Sequence, residues 1–313
     1  MNKRNKTISP GRFLCWLAAF ITIAACTGIL IYIIANGYKQ ISLKFLFTQP
    51  APAFDESQAG GISTPVIGTI LVTVAGTLIA FPWALSTAIF LAEYGGNKIT
   101  TKYIRLGVEV LAGVPTIVIA IFGLAVFTNP VFGFLSSIVE TDSDIKKAFG
   151  RSFFVCGITM AIMVLPFMIK VCEEAIKCVP VSYREGSLAL GASKWHTITH
   201  IILPSSKNGI ATGVILGMGR IIGDTAIVWL TLGGTMRMTG IQPWWKPANW
   251  LSTLTHTGST LTSYIYFASP AGEGNMPLKA FGASFVLIII ILILNFIVDY
   301  LSTLGKQVGR DNI

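Results

Sequence analysis

The sequence predicts an all-α membrane protein with six transmembrane helices and a cytoplasmic helix-turn-helix module, and three observations predict it. Hydrophobic residues make up 53% of the 313-residue chain and charged residues only 12%, far from the composition of a soluble domain. Apolar runs recur at 13–35, 65–91, 104–127, 153–169, 209–232 and 280–300, each long enough to cross a hydrocarbon core of about 30 Å. Lipid offers no partner for backbone N–H and C=O groups, so runs of this length must be helical rather than open strands. The third observation is a polar stretch at 185–204 that lies between two of these runs.

Orientation follows from Lys and Arg. With the N-terminus inside, the inner segments carry 14 of them, among them Lys98, Lys170, Lys177, Arg184 and Lys194, and the outer segments eight. The positive-inside rule then puts both termini and the stretch at 185–204 in the cytoplasm. The net charge of +9 has the same origin, because the basic residues are scattered over membrane-flanking loops rather than gathered on one face. This argues against nucleic-acid binding. The expected organisation is a cytoplasmic tail at 1–12, a single transmembrane domain at 13–303 and a second tail at 304–313. Lys3, Arg4, Lys6 and Arg12 precede the first apolar run as in a signal sequence, but the run continues to Ala35. A cleavable apolar region ends after about 7–15 residues, so the segment reads as a retained anchor. Five cysteines, none closely paired in the manner of a zinc or redox motif, predict neither disulfide nor metal.

Three outer segments join the spans, at 36–62, 129–151 and 233–277. In the last, Trp244, Trp245 and Trp250 have the character of interfacial anchors, with docking of a soluble partner as the alternative. Inside the spans, Pro82, Pro115 and Pro166 remove helix hydrogen bonds. Gly113 weakens the ladder next to Pro115, which makes that position the best candidate for a functional break.

Ser182 and Glu185 have capping-box spacing, so a helix is expected to begin just after Ser182, with Gly191 ending it. Ser193 can cap a second helix, expected to stop at Pro204. A rigid knob of this kind can be gripped by a moving soluble domain. The same outline occurs in DNA-binding motifs, but a loop pinned at both ends to a membrane reaches a duplex poorly. His196 and His200 imitate a zinc pair, yet no carboxylate follows the first and no third ligand is evident, so they read as solvated histidines.

Arg220 and Asp224 lie deep in the fifth apolar run, where one unpaired charge costs about 2.5–3.5 kcal/mol on insertion scales. Four residues apart on one helix, they could form an internal salt bridge. The functional reading gives Arg220 to an oxyanion in transit and Asp224 to positioning its guanidinium. Gly217, Gly219 and Gly223 allow close approach around them.

The stretch from Glu185 to Pro204 resembles the coupling loop of ABC importer permeases, Glu-Ala-Ala, three residues, Gly, nine residues, Ile-x-Leu-Pro. Glu185, Gly191, Ile201, Leu203 and Pro204 fall at the required spacing, with Gly186 and Ser187 where two alanines are usual. Arg220-Ile-Ile-Gly223-Asp224-Thr225-Ala226 resembles the Arg-x-x-Gly-Glu-Thr-Ala stretch of phosphate permeases. The segments Phe90-Leu-Ala-Glu93-Tyr94, Leu111-Ala-Gly113-Val-Pro115 and Glu173-Glu174 agree as well.

Over 63–300 the chain resembles the PstA-type subunit of the phosphate-specific system, with the type I ABC importer permease fold. Two residues depart from the family pattern: Lys170 stands where Arg is usual and Asp224 where Glu is usual. The resemblance implies a sister permease, two ATP-binding subunits and a periplasmic phosphate-binding protein, with Arg220, Asp224 and Lys170 on the solute pathway. No Gly-x-x-x-x-Gly-Lys-Ser/Thr phosphate loop occurs in the chain, so no cofactor of its own is expected and ATP belongs to the partners. Sulfate or molybdate as substrate, an ion-driven secondary transporter, and a membrane sensor or scaffold that moves no solute are the alternatives.

Overall fold

A computed structural model describes residues 10–51, 60–96, 98–136, 138–140, 146–236, 238–241 and 243–307. In chain order its helices are α1 (Pro10–Gly37), α2 (Leu43–Phe47), α3 (Ser63–Ile89), α4 (Ile99–Gly113) and α5 (Thr116–Phe127). They continue with α6 (Phe153–Lys177), α7 (Val181–Ala189), α8 (Lys194–Thr197), α9 (Leu203–Gly223) and α10 (Ala226–Thr231). The last three are α11 (Trp250–Thr255), α12 (Leu261–Ala268) and α13 (Pro277–Gln307). Among the described residues one short antiparallel hairpin, β1 (Ile138–Glu140) with β2 (Lys146–Ala148), interrupts the helical pattern between α5 and α6.

Among the described residues, four helices, spanning Gly11–Gln40, Ser63–Tyr94, Phe153–Lys177 and Pro277–Tyr300, are long and apolar enough to cross a membrane, and α4 with α5 adds a fifth as a bent pair. The bend is 100° and falls at Pro115. Val114 before it is extended, as a residue preceding proline prefers, and the Pro115 carbonyl accepts from Val118 and Ile119 to start α5. Pro82 and Pro166, by contrast, lie within the continuous helices α3 and α6. The run expected as one span at 209–232 is divided: α9 stops at Gly223 and α10 starts at Ala226.

The core forms where α3, α6 and α9 cross. A Cβ on Gly76 would lie 3.2 Å from Ile221 Cδ1 and 3.4 Å from Met160 Cβ, and one on Gly217 would lie 3.0 Å from Met168. Small residues thus set the helix separation, the usual device where lipid removes the hydrophobic drive for helix association. Met160, Met163, Val164 and Met168 of α6 are buried there with Ile221 of α9 and Ile227 of α10.

The segment at 233–277 is more than a loop. Leu261, Tyr264 and Ala268 of α12 are buried against Ala280, Ala283 and Val286 of α13, and the Leu261 N–H donates to Thr69 Oγ1 of α3 at 2.8 Å. Trp244 and Trp245 line a cavity of about 400 Å³ with Phe47, Thr64 and Ile67. α1 is exposed over most of its length and meets α13 at its C-terminal end, where Tyr32 packs edge-on to Phe281 at 5.4 Å.

Candidate functional site

At one end of the bundle, α7, α8 and the start of α9 form the expected knob, with two differences from what the sequence predicts. α7 starts at Val181 behind Pro180, whose fixed φ of −55° presets the first turn and whose carbonyl accepts from Tyr183. Ser182 therefore does not cap it. The C-terminus matches the expectation: Gly191 takes φ +81°, the Ala192 N–H donates to the Ser187 carbonyl and the Gly191 N–H to that of Leu188. This is the Schellman arrangement, in which a left-handed glycine closes the last turn.

Ser193 caps the next helix, its Oγ accepting from the His196 N–H at 3.2 Å. That helix does not end at Pro204. Ile198–Ile202 widen into a π turn in which the Leu203 N–H reaches back to the Ile198 carbonyl. The chain then runs on helically into α9, and the preceding π turn accommodates the missing N–H of Pro204.

The knob is built to move as one piece. Ser187 Oγ and Thr197 Oγ1 share a buried hydrogen bond of 2.8 Å between its two helices. Ile198 and Ile202 are buried against Ile176, Val179 and Ala88, and Leu203 packs on the same cluster. Ile201 is half-buried. Glu185 and Gly186 point outward, and a Cβ on Gly186 would meet no atom of this chain within 4 Å. Around them Leu190 is 90% exposed and Trp195 61%, an apolar surface left without a cover. His196 and His200 stack with ring centroids 4.1 Å apart, and among the described residues no group of three potential ligands could hold a metal.

The second element is the break between α9 and α10. Because α9 ends at Gly223, the expected four-residue helical relation between Arg220 and Asp224 does not exist, and no ion pair joins them. Asp224 Oδ1 accepts instead from the Ile227 N–H at 2.8 Å, starting α10 as an N-terminal cap. Arg220 lies in the last turn of α9, exposed, with no side-chain hydrogen bond or ion pair among the described residues. Of the neighbouring glycines, Gly217 packs against Met168 and Val164, whereas Gly219 and Gly223 border open space. The exposed positions Ser205, Asn208, Thr212, Leu216, Arg220 and Gly223 recur every three or four residues and form one uncovered face along α9.

Asp224→Ala is expected to lower stability by about 1 kcal/mol through loss of the cap, while Asp224→Asn, which can still accept from Ile227, stays near wild type. Thermal unfolding in detergent reads the difference.

Lys170 is exposed on α6 and borders a different space, a cavity of about 250 Å³ lined also by Arg105, Glu109, Glu173, Glu174 and Lys177. Arg220 is not among its lining residues, so the cavity does not bring the two cations together. The buried Glu173 carboxylate there lies 2.6 Å from both Arg105 and Lys177 and ties α4 to α6. The sequence reading assigned no role to Glu173, Arg105 or Glu93, although Glu93 and Glu173 stand in the stretches that carried the family resemblance.

A helical bundle with a knob at one end and a broken span beside an exposed arginine fits a membrane permease subunit, a transport component rather than an enzyme. The chain belongs to the family described as binding-protein-dependent transport system inner membrane component, whose model matches residues 84–304. It is an ABC importer permease subunit.

Among its relatives, a probable ABC transporter permease protein YqgI of Bacillus subtilis is 32% identical over 92% of each chain. The phosphate transport system permease protein PstA 1 of Mycobacterium tuberculosis (strain CDC 1551 / Oshkosh) is 28% identical, over 84% of this chain and 78% of that one. Among solved structures, the alginate ABC transporter in complex with a pentasaccharide-bound periplasmic protein aligns with TM-score 0.58 at 17% identity, covering 92% of this chain and 94% of the other. The inward-facing methionine transporter MetNI aligns with TM-score 0.57 at 15% identity, covering 78% and 95%. At these identities the two structures speak to the fold alone.

Proposed function

We propose that this chain forms part of the phosphate pathway of an ATP-driven importer, together with a sister permease, two ATP-binding subunits and a periplasmic phosphate-binding protein. The observation that carries this reading is Arg220, a permanently charged side chain within a membrane protein, exposed at the end of the uncovered face of α9. A charge at that depth cannot face lipid cheaply and is expected to border a water-filled path or a bundle interior. The polar residues Ser205, Asn208 and Thr212 below it on the same face make a path closed by a second subunit the economical arrangement. Arg220 then attracts a tetrahedral oxyanion, and Asp224, committed to the cap of α10, leaves that charge free to do so. Phosphate is favoured by the relatives named as phosphate permeases and by the Arg-x-x-Gly-Asp-Thr-Ala stretch.

The knob, with both termini, faces the cytoplasm in this reading. ATP-driven closure of the partners pushes it and re-orients the spans around Arg220. Labelled-phosphate uptake into proteoliposomes carrying the whole complex tests the proposal. ATP-dependent uptake that unlabelled phosphate suppresses, and sulfate does not, is the expected result. Suppression by sulfate assigns another oxyanion, uptake without the ATP-binding subunits assigns a secondary transporter, and normal cellular uptake after deletion of the chain assigns a sensor or scaffold.

A further inference from the structure

The knob is fastened to two spans through one side chain. The Arg184 guanidinium, on α7, donates from Nη2 to the Ile176 carbonyl of α6 at 2.8 Å, which also accepts from the Val179 N–H, and from Nη1 to the Val179 carbonyl just beyond α6. The same group donates from Nε to Glu93 Oε1 at 3.1 Å, with Nη2 at 3.0 Å from that oxygen. Glu93 lies in the π turn Phe90–Tyr94 that continues α3. The pair is shielded, with side-chain exposures of 19% for Arg184 and 8% for Glu93, so solvent and salt weaken it little. From α8, Lys194 Nζ donates to the Glu93 backbone carbonyl and lies 4.5 Å from the centroid of the Tyr94 ring.

We propose that the Arg184–Glu93 pair is the strut through which displacement of the knob reaches α3 and α6 together. An inference of this kind rests on the coupling role given to the knob above. The physical reason is stiffness. Apolar packing under the knob through Ile198, Ile202 and Val179 is non-directional and allows sliding, whereas a charge-assisted guanidinium contact fixes direction as well as distance. The strut also meets α3 in a π turn, and a second π turn joins the knob to α9. Such turns are the places where a helix changes its winding most readily. Pushing the knob thus moves the ends of α3 and α6 as a unit, while the two π turns take up the strain. Arg184 and Glu93 are positioning residues: neither borders the face that carries Arg220.

The test is a distance measurement on the purified complex with its ATP-binding subunits. Spin labels are placed at Leu78→Cys on α3 and Leu216→Cys on α9, both exposed positions, in a chain whose five native cysteines are replaced. Without the strut changes, ATP is expected to shift the distance between the labels. In Arg184→Gln and in Glu93→Gln the shift is expected to fall to less than about a third, with the ATP-binding subunits still copurifying in normal ratio. Should Arg184→Gln fail to assemble, Glu93→Gln keeps the question open to test, because it leaves the bonds of Arg184 to Ile176 and Val179 in place. Variants that move as far as the parent, or a parent that does not move, overturn the strut. No solute enters the measurement, so a wrong choice of phosphate cannot imitate either result. Loss of the ATP-binding subunits from the parent complex would overturn the coupling role and the strut together, and is seen as a missing component.

Discussion

Arg220→Gln is expected to reduce phosphate uptake by the reconstituted complex by about 10- to 100-fold while leaving membrane insertion and subunit assembly unchanged. The magnitude follows from the loss of a hydrogen bond to a charged group, about 1.5–3 kcal/mol. Assembly is spared because Arg220 makes no side-chain hydrogen bond or ion pair among the described residues and the cap on α10 is supplied by Asp224. Arg220→Lys keeps the charge but loses the planar fork, so its uptake should fall between the two. Uptake by Arg220→Gln equal to that of wild type removes Arg220 from the pathway.

Trp195→Ala is expected to weaken binding of the ATP-binding subunits by about 30-fold, read as their loss from the purified complex at low protein concentration. Trp195 is 61% exposed on the knob beside the more exposed Leu190, and an aromatic anchor of this kind typically contributes about 2 kcal/mol or more when truncated. The fold should not suffer, since the knob is held internally by Ser187 with Thr197 and by the buried isoleucines beneath. Hydrolysis of ATP by the subunits alone remains normal, while uptake falls with assembly. Retention of these subunits at wild-type ratio would show that their contact lies elsewhere on the chain.

The features legible in the sequence are those that local chemistry specifies. Gly191 and Ser193 mark a turn because only certain residues close a helix with positive φ or cap the next one, and both do so here. Pro115 breaks a span because the residue before it is pushed out of the helical region.

What stayed hidden depends on competition or on distant parts of the chain. Pro204 reads as a stop, yet a π turn upstream absorbs it. Gly223 and Asp224 read as interior positions of a span, although a short acidic side chain that can cap a helix was already the clue that a new helix starts there. The Arg184–Glu93 pair joins residues 91 apart, a contact that no spacing rule on a single helix could reveal. Lys170, grouped with Arg220 by resemblance, instead borders the charged cavity between α4 and α6.

The claim at the centre is that ATP acting on the knob changes access to the α9 face that ends at Arg220. The direct measurement is the rate at which a membrane-impermeant thiol reagent, applied from the binding-protein side, modifies Leu216→Cys in an otherwise cysteine-free complex. The account predicts that the rate changes by at least about tenfold between nucleotide-free and ATP-bound states and that phosphate protects the thiol. Equal rates in both states, unaffected by phosphate, would contradict it.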